Sequence, residues 1–184
     1  APVARRQRVA DPVVKQGQAW RSIVANADAL GADLVVLGSH GYHGADRLLG
    51  TTARRVADSA RHHVMVLHDR STPPRSIQSV LIALSGSPRD AAVLAKGLEV
   101  AHALAATVRL IRVIEVAHPL PVPERVIVAD LDPSDAGPPT DELRAAAARD
   151  ASVVGRRVVI AAARAWRAIL EAARADGVDL VVVG

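Results

Sequence analysis

Apolar positions along the chain alternate between short unbroken runs and stripes at helical spacing. Asp33 to Leu37 carries four apolar residues in a row and ends at Gly38, as a strand buried on both faces of a parallel sheet requires. Ahead of it Trp20, Ile23, Val24 and Ala27 recur at spacings of three and four, which predicts an amphipathic helix. Gly31 stands where a left-handed cap would stop that helix. The same order returns near the other end, with a stripe at Trp166, Ile169, Leu170 and Ala173, a stop at Gly177 and a strand over Asp179 to Val183. Val64 to Leu67, Val80 to Leu84 and Thr107 to Val113 read as further strands. Ser85-Gly86-Ser87-Pro88 turns into a helix marked by Ala91, Leu94, Leu98 and Ala101, with Pro88 suited to its first turn. Thr140, followed by Asp141 and Glu142, has the chemistry of another helix start.

The two helix–strand patterns are copies. Residues 13–38 and 159–184 align without a gap at an offset of 146, and 13 of the 26 positions are identical, including Ala19-Trp20-Arg21 with Ala165-Trp166-Arg167. That period is the size of a whole domain, far longer than a solenoid repeat. The expected organisation is therefore the C-terminal part of a first repeat over residues 1–70, a polar, proline-bearing linker over 71–77, and the N-terminal part of a second repeat over 78–184. Neither copy is complete in its own order, so residues 32–68 are expected to complete a sheet with residues 78–184, within one chain or by exchange between two. Ala117 to Thr140 holds six prolines and reads as a long loop. Strands alternating with helices imply right-handed crossovers and an α/β, doubly wound parallel sheet with helices on both faces. Ligands of such sheets bind beyond the carboxyl ends of the strands, which selects the turns after Leu37 and Leu84.

Composition narrows the chemistry. The chain has 184 residues and no cysteine, which excludes disulfides, thiolate metal sites and a cysteine nucleophile and suits a reducing cytoplasm. No apolar run approaches the ~20 residues of a membrane helix, and no charged-then-apolar leader opens the chain, so neither membrane insertion nor secretion is expected. The net charge of +4 comes almost wholly from arginine, yet the only aromatic residues are Trp20, Tyr42 and Trp166. Nucleic-acid binding, which uses aromatic platforms for stacking, is not expected. His40, His43, His62, His63 and His68 have no acidic companions at ligand spacing, so no metal site is expected either.

The turn after Leu37 reads Gly38-Ser39-His40-Gly41-Tyr42-His43-Gly44-Ala45-Asp46-Arg47-Leu48-Leu49-Gly50-Thr51-Thr52 and enters a helix at Ala53. Glycines at a strand–helix junction let backbone N–H groups approach an anion, and hydroxyls at the positive end of a helix dipole suit the same charge. Glycines also serve tight turns with no ligand at all. Asp33 to Gly41 together with Leu48-Leu49-Gly50-Thr51 resembles the signature Gly-x2-Gly-x9-Gly-(Ser/Thr) of nucleotide-binding members of the universal stress protein family. Val64 to Leu67 is similar to that family's fifth strand, and Val80 to Pro88 to its opening strand and turn. The resemblance implies a five-stranded parallel sheet of the adenine nucleotide alpha hydrolase kind, order 3-2-1-4-5, often dimeric, binding ATP, with magnesium as the companion ion, in some members. Carried over by position, it implies nucleotide contacts from Gly38, Ser39, His40, Gly41, Gly50, Thr51, Thr52 and Ser85, Gly38 near the ribose and Gly41, Gly50, Thr51 and Thr52 at the phosphates. Two departures stand out: eight residues, not nine, separate Gly41 from Gly50, and Ser85 stands where nucleotide-binding members carry aspartate.

The function expected from these residues is an adenine-nucleotide-binding regulatory module without turnover, working as a homodimer or a swapped assembly. One alternative is an interaction or dimerisation module that binds no nucleotide. A lesser one is an adenylating enzyme, because Ser85-Gly86-Ser87 partly matches a pyrophosphate-gripping loop; Ser87 and Arg89 break that match, and no nucleophile–base–orienter set appears elsewhere.

Overall fold

The computed structural model describes residues 12–39, 50–67, 76–115, 127–129, 150–161 and 165–184. The chain divides into two compact units, residues 1–73 and 74–184. In the first, α1 (Ala19–Leu30) leads into β1 (Leu34–Gly38) and α2 (Thr51–Ser59) into β2 (His63–Leu67). The strands pair in parallel, Leu34 opposite His63 through Gly38 opposite Leu67. The helical stripes of Trp20, Ile23 and Val24 pack with Leu37 and Val64 around buried Ala27, Val35 and Val56, so the predicted apolar positions do make this unit's core.

The second unit runs β3 (Ser79–Leu84), α3 (Asp90–Leu104), β4 (Thr107–Glu115), β5 (Ile127–Ala129), β6 (Val153–Ala161), α4 (Ala165–Ala175) and β7 (Leu180–Val182). Its sheet has the order β5-β6-β4-β3-β7. Successive side chains of a strand point to opposite faces, and β3 shows the consequence. Val80 and Ile82 pack with Leu94 and Ala101 of α3, while Leu81 packs with Ala168, Ala172 and Ala173 of α4. Helices on both faces make the sheet doubly wound, as expected.

The duplicated segments fold alike, each as a helix followed by a parallel strand: α1–β1 and α4–β7. Each helix stops at a glycine in the left-handed region, Gly31 at φ 60° and Gly177 at φ 61°. There the next two N–H groups close back on the helix, Gly31 to Asp28 and Ala32 to Ala27, and Gly177 to Arg174 and Val178 to Ala173. Each helix also opens with an arginine over its tryptophan, Arg21 at 5.2 Å from the Trp20 ring and Arg167 at 5.4 Å from Trp166.

Several expectations shift. The second unit supplies four parallel strands in the implied order 3-2-1-4 (β6, β4, β3, β7), and the first unit supplies 4-5 (β1, β2). The fifth strand of the larger sheet is instead β5, which runs antiparallel to β6. It lies inside the stretch expected to be a loop, whose remaining residues, like the helix expected from Thr140, fall outside the described residues. The strand β6 went unread, because Gly155-Arg156-Arg157 breaks its apolar run. Among the described residues no helix is long and apolar enough to cross a membrane.

Candidate functional site

The glycine-rich turn of the first unit is anchored at both ends. Leaving β1, Ser39 donates its N–H to the Leu67 carbonyl of β2 at 2.8 Å, and its own carbonyl accepts the N–H of Gly50 at 3.2 Å. That second bond closes the turn and holds the start of α2 at the carboxyl end of β1. Gly50 is the N-cap residue, with extended backbone (φ −58°, ψ 155°), and has no side chain with which to cap the helix. The first N–H groups of a helix have no partner within it, so the first turn of α2 presents donors at the positive end of its dipole. Thr51 and Thr52 are exposed there, while Ala53 and Val56 are buried and fix the helix from behind.

Gly38 carries further information. A Cβ placed on it would meet nothing within 4 Å, and its φ lies outside the left-handed region, so neither packing nor backbone demands glycine at this position. Of the residues assigned to this turn from the sequence, the structure brings together Gly38, Ser39, Gly50, Thr51 and Thr52. His40 and Gly41 lie outside the described residues, as does Asp46.

Ser85 belongs to the second unit, at the carboxyl end of β3, and its surroundings were not foreseen. Asp90, on the first turn of α3, reaches back into the turn. One carboxylate oxygen accepts both the N–H and the hydroxyl of Ser85 at 3.0 Å, and the other accepts the N–H of Gly86 at 2.7 Å. Asp90 is only 4% exposed. The turn that departs from the nucleotide-binding pattern by lacking an aspartate at 85 thus holds a carboxylate delivered from position 90. Gly86 has φ +84°, and a Cβ there would stand 2.8 Å from Nη2 of Arg112, the β4 residue paired with Leu84. The backbone favours glycine here, and any side chain would also displace the tip of the Arg112 guanidinium. The sequence held a signal for Asp90, an acid at the start of a helix just after a Ser-Gly-Ser turn; for Arg112, inside a strand, it held none.

Two of the three histidines within the described residues serve the scaffold. His62 Nε2 lies 2.9 Å from Asp28 and ties the approach to β2 to α1. His102 meets Asp150 at 2.9 Å ahead of β6. Among the described residues no three His, Cys, Asp or Glu side chains gather as a metal ion would need.

The sequence profile of the universal stress protein family matches residues 2–68 and again residues 76–184. A universal stress protein A homolog 2 of Coxiella burnetii (strain RSA 493 / Nine Mile phase I) is 40% identical over 55 residues, a stretch that takes in 30% of this chain and 38% of the relative. The crystal structure of a universal stress protein family member from Burkholderia pseudomallei is similar at 24% identity with a TM-score of 0.41, over 59% of this chain and 82% of the other.

Proposed function

The chain belongs to the universal stress protein family, and on that footing we propose that its first unit holds an adenine nucleotide, ATP, along the turn from Gly38 to Thr52 without consuming it. Family membership supports a role in the stress response. The nucleotide reading rests above all on the hydrogen bond from the Gly50 N–H to the Ser39 carbonyl. It sets a helix start whose N-cap residue has no side chain against the end of a parallel strand, the arrangement that favours phosphate on both hydrogen-bonding and dipole grounds. The open space over Gly38 leaves room for the nucleoside end. Magnesium accompanying the triphosphate would find the hydroxyl oxygens of Thr51 and Thr52, hard donors of the kind it takes.

Holding rather than hydrolysing is our reading of the turn's sequence: phosphoryl transfer to water needs a residue to orient the attacking water, and the only acid in the turn, Asp46, stands beside Arg47. A cytoplasmic regulatory module fits a chain without cysteine. Replacing Gly38 with valine tests the site, since a Cβ there meets nothing within 4 Å among the described residues and stands in the space assigned to the ligand. Calorimetry on Gly38→Val should show ATP binding weakened about tenfold or more, with an unchanged melting temperature and phosphate release at the buffer rate for both proteins. Equal affinities, or release above buffer, would remove the proposal.

One observation favours the interaction-module reading for the second unit. The Ser85 and Gly86 N–H groups, which could otherwise meet a ligand anion, are already taken by Asp90. Wild-type protein that ignores ATP altogether would extend that reading to both units.

A further inference from the structure

The charge of the chain is not shared between the two units. Residues 1–73 hold ten arginines and lysines against six acids, whereas residues 74–184 hold thirteen of each, so the whole net charge of +4 belongs to the unit that carries the glycine-rich turn. Within that unit the charges are also sorted by position. Each helix ends just ahead of the strand that follows it, which puts the ends of α1 and α2 at the amino ends of β1 and β2 and their starts at the carboxyl ends. The described acids all lie at the amino end, Asp28 and Asp58 on the last turns of α1 and α2 and Asp33 ahead of β1. At the carboxyl end Arg21 stands on the first turn of α1, over Trp20, and Arg54 and Arg55 follow the first N–H groups of α2. Of the unit's described arginines only Arg61 lies at the amino end.

The two arginines of α2 differ in what they meet. Arg54 forms an ion pair with Asp58 one turn on, at 3.8 Å with both side chains exposed. Arg55 is exposed as well, and among the described residues no carboxylate pairs with it. Ala53 and Val56 bury the inner face of the helix, which leaves Thr51 and Arg55, four residues apart, as neighbours on its outer face. A helical side chain leans towards the start of its own helix. The step from Thr51 to Arg55 is only about 6 Å along the axis, a distance that the long arginine side chain spans.

We infer that Arg55 reaches back over the first turn of α2 to the outermost phosphate of the bound nucleotide, and that the site thereby selects nucleoside triphosphates over monophosphates. The inference rests on the nucleotide reading above and adds a residue to it. With the nucleoside end over Gly38 and the first N–H groups of α2 taking the phosphate on the helix axis, the phosphate furthest from the nucleoside falls on the outer side of the helix start, the side that Thr51 and Arg55 share. A guanidinium there offers a fork of N–H donors that matches phosphate oxygens. A monophosphate, held by the backbone at the helix start, does not extend to it. Placing the unit's described acids at the far end of its strands keeps like charge away from the triphosphate.

Calorimetric titration of the full chain with ATP and with AMP decides it, in wild type, Arg55→Gln and Arg55→Lys, with Gly38→Val alongside. Arg55→Gln should weaken ATP binding about tenfold and leave AMP binding and the melting temperature unchanged, since a side chain of similar helix propensity replaces an exposed one. Arg55→Lys should recover part of the loss, because it restores the charge without the fork. Gly38→Val should weaken both nucleotides. If Arg55→Gln binds ATP as wild type does, or loses ATP and AMP affinity alike, the role of Arg55 is overturned, while a loss in Gly38→Val still upholds the site. A wild type that binds neither nucleotide removes both.

Discussion

At the scale of single residues, carboxylates do different work according to what surrounds them. Asp150 accepts the Ser152 hydroxyl at 2.6 Å and the Ser152 N–H at 2.9 Å, with His102 Nε2 beside its other oxygen at 2.9 Å. Those bonds, Ser152 first, hold its carboxyl at about 2 where an ordinary aspartate lies at 3.8. A folded pKa below the unfolded one means that the stabilisation is complete above about pH 4 and drains away as the pH falls towards 2. Acid titration of stability should therefore show wild type losing more between pH 4 and 2 than Asp150→Asn, whose amide does not titrate; parallel curves would contradict the assignment. Asp90 has a related geometry at the opposite end of the sheet, where it braces the Ser85–Gly86 turn. Sequence reading found the turn but not its brace. A strand end and a turn are local patterns, whereas a side chain folding back five residues, or Arg112 approaching from the next strand, is fixed only by the three-dimensional packing.

At the scale of elements, the helix ends explain what was legible. Gly31 and Gly177 could be read as stops because a left-handed backbone position selects glycine. The end of α3 uses the same closure, Ala105 N–H to His102 and Ala106 N–H to Ala101, but places alanine there at φ 53°. A methyl group in that conformation costs about 1–2 kcal/mol, partly offset because alanine restricts the unfolded chain more than glycine does. Ala105→Gly should accordingly stabilise the second unit by about 0.5–1 kcal/mol, seen as a higher urea midpoint with an unchanged slope. The absence of any gain would show that the strain is relieved elsewhere. Strands were legible where apolar runs were unbroken, as in β1, β2 and β3, or interrupted by single residues, as by Arg109 and Arg112 in β4. In β6 three successive residues, Gly155 to Arg157, interrupt the run, and β5 is a three-residue strand whose identity comes from pairing with β6 and not from its own pattern.

At the scale of the molecule, the described residues of the two units differ in how many apolar side chains they bury. Among the described residues the first unit's buried apolar side chains are Ala27, Val35, Ala53 and Val56, while the second has fourteen, among them Leu81, Ile82, Leu94, Leu110 and Ile111. A fully buried valine contributes about 1.5–3 kcal/mol, so the described core of the first unit offsets less conformational entropy than that of the second. Each unit happens to carry its own reporter, Trp20 in the first and Trp166 in the second, and the chain has no other tryptophan. Unfolding in urea, followed by fluorescence in Trp166→Phe and Trp20→Phe in turn, should show the Trp20 signal lost at a lower urea concentration than the Trp166 signal. Coincident transitions would mean that the small described core of the first unit is not what limits its stability, and the accounting by buried side chains would fail.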